Sequence, residues 1–164
     1  MINNENLLLK NALIYENGHK RRTQHILKVY ALSSCIATSE NLTEEQLTVI
    51  KAATILHDIA IKSCKEKYGN AEQSLQQKEA LNIVPTMLKA ANYLSSLTDD
   101  ILFLILNHHN YNNISDIRLQ ILVEADLLVN YMEDPDEYAA LHICDTDLFK
   151  TKTGFELKMK IMGK

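Results

Sequence analysis

The residues of this chain best suited to chemistry are a histidine and an aspartate that stand side by side in an apolar run. His57 and Asp58 interrupt the stretch Ala52-Ala-Thr-Ile-Leu-His-Asp-Ile-Ala-Ile61. A buried imidazole and a buried carboxylate are costly unless each has a partner. Adjacent helical residues point about 100° apart, so the two side chains do not face each other, but both can reach one atom between them. A divalent metal ion is such an atom, because imidazole and carboxylate are both good ligands for it.

Further polar residues in apolar helical patterns decide between this interpretation and a satisfied core histidine beside a helix-end aspartate. Asp126 lies within Gln120-Ile-Leu-Val-Glu-Ala-Asp-Leu-Leu-Val129, whose apolar residues predict burial. A buried aspartate requires a cation, a hydrogen-bond donor or a proton. A nitrogen and oxygen ligand set without thiolates favours Mn, Fe, Co, Ni or Zn over a cysteine-rich structural zinc site. The candidate metal ligands are His25, His57, Asp58, His108, His109 and Asp126.

Helices must position these residues, because the composition is that of an all-α protein. The 164 residues include only 4 Gly and 2 Pro, and 46% are hydrophobic, which favours long helices over turn-rich β structure. The apolar spacing predicts a single-domain helical bundle over residues 1–164, with about six to eight helices. We predict helices at Asn4–Glu16, Arg21–Thr38, Thr98–Leu106, Asp116–Tyr131 and, as a tail, about 153–162. A further helix begins at a capping box at Thr43 and runs to His57-Asp58. The segment from Glu72 to Tyr93 is predicted as two helices separated near Pro85, and Lys62–Asn70 as a loop.

Charge and composition also argue against several classes of partner. The net charge is −4 and no basic block is present, so extended nucleic-acid binding is not expected. No apolar run approaches the length of a membrane span, and the first residues do not resemble a signal peptide. The three cysteines, Cys35, Cys64 and Cys144, are odd in number and widely spaced. They fit a reducing compartment, and we expect a cytoplasmic protein.

The order His25, then His57-Asp58, then Asp126 on a helical chain resembles the HD-domain superfamily of metal-dependent phosphohydrolases. The resemblance covers roughly Arg21 to Glu133 and implies a helical bundle in which these four residues bind the metal. Local stretches are similar to small bacterial HD proteins, namely Ala52-Ala-Thr-Ile-Leu-His-Asp-Ile59, Gln76-Gln-Lys-Glu79, His108-His109-Asn-Tyr111 and Ile121-Leu-Val-Glu-Ala-Asp-Leu-Leu-Val-Asn130.

The pair His108-His109 goes beyond the minimal HD set. A similar pair occurs in HD proteins with two metals, including the cyclic-dinucleotide phosphodiesterases, which also use another histidine about a helix earlier. Here no histidine lies between Asp58 and His108, and Glu79 is the carboxylate best placed to fill that role. The alternatives are that Glu79 is a solvated helix residue and that the histidine pair interacts favourably with the negative end of the helix dipole at a helix C-terminus. The resemblance thus implies one divalent ion, or two, from among Fe, Mn, Co, Ni, Zn and Mg.

The activity implied by the resemblance is hydrolysis of a small phosphorylated molecule, with a nucleotide as one candidate, by a metal-activated water. One rival is an HD-type oxygenase with two irons, and the other is a non-catalytic metal- or nucleotide-binding sensor module. Basic residues near the motif could bind the phosphate, although ordinary surface charge is the favoured explanation for each of them taken alone. The predicted catalytic residues are Asp58, Glu79 and His109, and the predicted substrate-binding residues are Arg22, Lys28 and Lys62.

Overall fold

The computed structural model describes residues 4–140 and 147–163, and within those ranges it contains helices and no strand. The predicted all-α architecture is therefore confirmed. No described helix has both the length and the apolar character needed to cross a bilayer. The α-helices are α1 Glu5–Tyr15, α2 Lys20–Ser39, α3 Glu44–Leu56, α4 Ala60–Tyr68, α5 Gln73–Ala90, α6 Thr98–Asn107, α7 Ile117–Glu133, α8 Pro135–Ala140 and α9 Lys152–Ile161, and a short 3-10 helix covers Ser95–Leu97.

Helix α3 lies at the centre of the bundle, where it packs against α1, α2, α6 and α7. It begins with the predicted capping box: Thr43 Oγ1 accepts a hydrogen bond from Gln46 N, and Gln46 Oε1 accepts one from Thr43 N. Its second half, Ala52 to Leu56, is buried on every side. A helix that is apolar all round belongs in a protein interior, so α3 delivers the His-Asp pair at its end into the core.

Most of helix α7 is buried on all sides, because every residue from Leu119 to Val129 is buried. Gln120, Glu124 and Asp126 are the polar residues in that span. Buried polar groups require hydrogen-bond partners or counter-ions, so each must meet a specific partner in a neighbouring segment. α7 packs against α2, α3 and α6 on one side and against α9 on another.

The predicted loop at Lys62–Asn70 is wrong, since most of it is helix α4. Its buried residues Ala60, Ser63 and Cys64 lie three and four positions apart, so they form one face that packs on α5. Gly69, which suggested a loop, instead ends this helix in the left-handed conformation at φ 75°. The lysine-rich sequence is the solvent face of a short amphipathic helix.

The predicted break near Pro85 is also wrong, because α5 runs continuously from Gln73 to Ala90 with Pro85 inside it. Proline removes the hydrogen bond to the carbonyl four residues earlier. That residue is Leu81, which is 53% exposed, so the loss falls on the solvent side of the helix. Packing of buried Ala80, Val84 and Leu88 holds the two halves of the helix in line.

A buried carboxylate on α7 fixes the C-terminal segment to the bundle. Glu124 is 0% exposed, and it accepts hydrogen bonds from Lys150 N at 2.6 Å, Thr151 N at 2.9 Å, Thr151 Oγ1 and Gln120 Nε2 at 2.8 Å. A Cβ atom added at Gly154 would lie 1.8 Å from Glu124 Oε2, so only glycine fits there. This contact positions α9, which occupies the place of the predicted tail helix. Cys144 lies outside the described residues.

Candidate metal centre

Helices α2, α3, α6 and α7 bring the predicted metal ligands together. α2 and α7 contribute side chains from within the helix, whereas α3 and α6 contribute residues at or just beyond their C-terminal ends. Helix ends can hold side chains at a fixed angle because the chain turns there. The six side chains form two groups, in each of which the potential ligand atoms lie within 4.8 Å of one another: His25, His57 and Asp126, and Asp58, His108 and His109.

The first group has the spacing of a metal coordination shell. His25 Nε2 lies 3.1 Å from both His57 Nε2 and Asp126 Oδ1, and His57 Nε2 lies 3.7 Å from Asp126 Oδ1. Ligand atoms placed about 2.0–2.2 Å from a shared ion are separated from each other by roughly 3 to 3.5 Å. All three residues are buried, at 7%, 3% and 2% exposure respectively.

Asp58 lies between the two groups. Its Oδ2 is 3.6 Å from His25 Nε2 and 3.7 Å from His57 Nε2, while its Oδ1 is 3.6 Å from His108 Nε2. Within the described residues, Asp58 Oδ1 and His108 Nε2 are buried atoms without a hydrogen-bond partner. Such atoms are costly unless a cation satisfies them. The carboxylate is therefore placed to serve both groups at once.

The three buried histidines all turn the same nitrogen toward this centre. His57 Nδ1 donates to the Thr54 carbonyl at 2.8 Å, and His108 Nδ1 donates to the Ile105 carbonyl at 2.6 Å. His25 Nδ1 lies 3.2 Å from the Glu133 carboxylate. Because carbonyl and carboxylate oxygens only accept, each ring keeps a proton on Nδ1, and Nε2 is the nitrogen that faces inward and can bind a proton or a cation.

The carboxylates favour positive charge in the cluster. Burial alone would lower the pKa of His25, but Asp126, Asp58 and Glu133 together raise that pKa to about 9. Burial likewise opposes ionisation of Asp126, yet His25 and His57 hold its pKa well below the ordinary value. The pKa of Asp58 is lowered chiefly by His57, against the effect of burial. The cluster thus stabilises either protons or a cation at its centre, and its nitrogen and oxygen donors suit a divalent metal ion.

A cavity of about 260 Å³ opens beside His25 and Asp58. Of the predicted substrate-binding residues, Arg22 lines it, whereas Lys28 and Lys62 do not. Lys28 Nζ instead pairs with Glu133 Oε1 at 3.0 Å, and Lys62 Nζ pairs with Glu66 at 2.8 Å. The cavity is lined by Glu16, His19, Arg21, Arg22, His25, Ile26, Asp58, Ile61, Lys65, Asn130 and Glu133.

Glu79 has partners of its own and belongs to neither group of candidate ligands. Its carboxylate accepts hydrogen bonds from Ser63 Oγ at 2.8 Å, from Tyr68 hydroxyl at 2.9 Å and from Lys67. Although the side chain is buried, these donors lower the pKa of Glu79 to about 2. The structure therefore gives Glu79 the role of joining α5 to α4.

Several residues of the site, Glu16, Glu133 and Lys65 among them, were not identified from the sequence. Glu133 orients His25, but it stands in the acidic run Glu133-Asp-Pro-Asp-Glu137, which is typical of a solvated helix end. Lys65 lines the cavity, but it lies in the segment predicted as a loop. Because that segment has the sequence of a loop, the spacing between Asp58 and Lys65 carries no helical signal from which its position could have been predicted.

Comparison with known proteins gives one match. A model of the HD domain family matches residues 22–131, which is more than half of the chain and includes all six clustered residues. Searches among curated proteins and among solved structures find no match.

Proposed function

Because the chain belongs to the HD domain family, whose members are generally metal-dependent phosphohydrolases, we propose that it hydrolyses a small phosphorylated substrate, with nucleotides among the candidates. The observation that carries this proposal is the convergence of three inward-facing Nε2 atoms, on His25, His57 and His108, with the carboxylates of Asp58 and Asp126. The cavity beside this cluster supports it, since Arg21, Arg22 and Lys65 can bind a phosphate there.

A divalent ion bound by these residues would lower the pKa of a bound water and polarise the phosphoryl oxygen. The protein side chains supply position and charge. Asp58 contacts both groups of candidate ligands and lies on the cavity, so it can hold the attacking water against the phosphate. In the hydrolysis a water oxygen bonds to phosphorus, the ester P–O bond breaks, and the proton lost by the water ends on the leaving alcohol.

His109 is suited to move that proton. It is exposed, and its ring centroid lies 3.9 Å from that of His108. Partial burial and the neighbouring His108 lower the pKa of His109, so its neutral ring can accept a proton at the edge of the cluster and pass it to water. Glu79 takes no part in this scheme, because its carboxylate accepts hydrogen bonds from side chains of α4.

The proposal is tested by metal analysis of protein purified without added metal, followed by assays of phosphate release from a panel of phosphate monoesters and diesters with Mn²⁺, Co²⁺, Ni²⁺, Fe²⁺ or Mg²⁺. We expect bound metal and metal-dependent phosphate release in the wild type. Asp58→Ala should lose metal and turnover while its circular dichroism stays helical. Wild-type turnover in Asp58→Ala, or in metal-free protein, would contradict the proposal.

The second group, Asp58, His108 and His109, favours one alternative. Two occupied groups fit an HD-type oxygenase with two irons as well as a two-metal phosphohydrolase, so iron content alone does not separate the two. For the oxygenase, electron paramagnetic resonance of anaerobically purified protein would show a coupled two-iron signal, and phosphate release would be absent. Metal binding without any turnover would instead support the sensor module.

A further inference from the structure

The cavity beside the metal cluster contains a buried carboxylate that the proposed chemistry does not use. Glu16 lines the same cavity as His25 and Asp58, yet only 2% of it is exposed. It is absent from both groups of candidate metal ligands. Metal binding therefore does not account for the position of Glu16 in this cavity.

The turn between α1 and α2 fixes the position of Glu16. Its backbone N–H donates to the Ala12 carbonyl at 3.2 Å, and its carbonyl accepts from His19 N at 3.1 Å. Asn17 and Gly18, between them, adopt left-handed conformations at φ 49° and 81°. These backbone hydrogen bonds reverse the chain direction, so the Glu16 carboxylate lies beside the first turn of α2, where Arg22 is located.

The two oxygens of this carboxylate have different surroundings. Oε2 accepts a hydrogen bond from Arg22 Nε. Oε1 is buried and has no hydrogen-bond partner within the part of the chain that the structure describes. A buried carboxylate oxygen is stable only when a donor satisfies it. Glu16 lines the cavity, so a small rotation of its side chain would bring Oε1 to the cavity wall, where a bound molecule can donate to it.

Two basic side chains that line the cavity, Arg21 and Lys65, have little or no neutralisation by carboxylates. Arg21 has 72% of its side chain exposed, and its Nε lies 3.9 Å from Glu133 Oε2, so its charge is only weakly neutralised. Lys65 is exposed and forms no ion pair with any described residue within 4.0 Å. These two side chains suit the phosphate end of a ligand, whereas Glu16 would repel a phosphate.

We propose that Glu16 determines specificity by accepting a hydrogen bond from a hydroxyl group of the substrate, so that the substrate is a phosphate monoester of a polyol rather than of a simple aromatic or aliphatic alcohol. The inference rests on the proposed function, because it assigns the substrate of that site. The cavity volume of about 260 Å³ has room for a ligand the size of a sugar phosphate or a mononucleotide. The ribose of a nucleotide and the sugar of a sugar phosphate both present the required hydroxyl groups.

The test measures binding as well as turnover. Dissociation constants for ribose 5-phosphate, a ribonucleoside 5′-monophosphate, its 2′,3′-dideoxy analogue and phenyl phosphate are determined by isothermal titration calorimetry. The proteins are the wild type, Glu16→Gln and the control Glu45→Gln. Glu45 is exposed in the first turn of α3, roughly 18 Å along the helix axis from His57. Metal content and thermal unfolding of each variant verify that the cluster and the fold are intact.

We expect the wild type to bind the hydroxyl-bearing ligands more tightly than phenyl phosphate. In Glu16→Gln, Arg22 holds the amide oxygen, so an N–H₂ group replaces the accepting Oε1 and the charge is lost. The preference for hydroxyl-bearing ligands should fall about tenfold, while phenyl phosphate should bind at least as tightly as it does to the wild type, because a charge that repels phosphate is lost. Glu45→Gln should behave as the wild type. If only the binding of ribose 5-phosphate is weakened in Glu16→Gln, the substrate is a sugar phosphate. If the wild type binds the nucleotide more tightly than it binds ribose 5-phosphate and the dideoxy analogue, the substrate is a nucleotide.

Three results would overturn the inference: no preference for hydroxyl-bearing ligands in the wild type, equal weakening of all ligands in Glu16→Gln, or no binding of any of these monoesters. The second result would mean that Glu16 serves only to position Arg22. Preferential binding that depends on Glu16, without hydrolysis, would preserve this inference and refute the proposed phosphohydrolase activity, so the two failures are distinguishable.

Discussion

Glu133 offers a direct test of how this cluster holds a metal. Three histidines turn Nε2 inward, but His57 and His108 are oriented by backbone carbonyls, which no substitution can remove. His25 is oriented by the side chain of Glu133 at 3.2 Å. Replacing Glu133 by Gln therefore changes the orienting partner of one histidine and leaves every candidate ligand in place.

The expected size of the effect follows from these contacts. Removing a partner that orients a metal-binding histidine usually weakens metal affinity by about 10- to 100-fold. In Glu133→Gln, the new side chain would keep an amide oxygen that can accept from His25 Nδ1, but it would lose the negative charge that favours a cation in the cluster. We therefore expect the lower end of that range, a rise in Kd of about tenfold, which is about 1.4 kcal/mol.

The assay is a competition titration of metal-free protein with Zn²⁺ and a chromophoric chelator at constant pH. Lys28→Met is the matched control, because Lys28 Nζ pairs with the other oxygen of Glu133, Oε1, at 3.0 Å. That variant removes the ion pair and keeps the contact with His25, so it should bind Zn²⁺ at least as tightly as the wild type. Circular dichroism would verify that both variants remain helical.

An unchanged Kd in a folded Glu133→Gln protein would refute the reasoning, because it would mean that His25 needs no orienting partner or does not bind the metal. Equal weakening in Glu133→Gln and Lys28→Met would place the cause in the ion pair between α2 and α7.

Three further predictions concern stability and reactivity. Gly154→Ala should lower the free energy of unfolding by about 3 kcal/mol, because its Cβ would overlap Glu124; a loss below about 1 kcal/mol in urea denaturation would show that the C-terminal segment shifts freely. Glu79 has a pKa lowered to about 2 from 4.5, so its contribution to stability is complete above pH 4.5 and is lost as the pH falls toward 2. Glu79→Gln should flatten the acid limb of the stability curve in that window, and a curve parallel to that of the wild type would contradict this. Cys64 is buried and its thiol pKa is raised by burial, so iodoacetamide should alkylate it far more slowly than exposed Cys35; equal rates by peptide mass spectrometry would exclude the described packing.

The sequence allows the position of a cluster residue to be predicted where its apolar neighbours require that it be buried. Asp126 stands in an apolar run that cannot face solvent, and His57 and Asp58 end another, so their approach to His25 is predictable once the helices are assigned. The structure brings all six predicted ligands into two adjacent groups. Their binding of a metal stays a prediction.

The rest depends on which face each helix end presents, and composition does not encode that. Glu79 and Glu133 both have the sequence surroundings of edge carboxylates, yet one is bound by donors on α4 and the other by His25. The difference arises from packing between helices that are distant in sequence. Lys65 is unpredictable for a related reason: the sequence of its helix resembles a loop, so the pattern does not indicate its position on the cavity side.

The contact between Glu124 and the C-terminal segment changes where this protein can be shortened. The family match ends at residue 131, which suggests that the later residues are dispensable. Truncation there would remove Lys150 and Thr151, which supply three of the four hydrogen bonds to the Glu124 carboxylate. It would also remove α9, which packs on α7, and would uncover part of a helix whose residues from Leu119 to Val129 are all buried. The smallest autonomous folding unit therefore extends through α9, past the boundary that homology alone would draw.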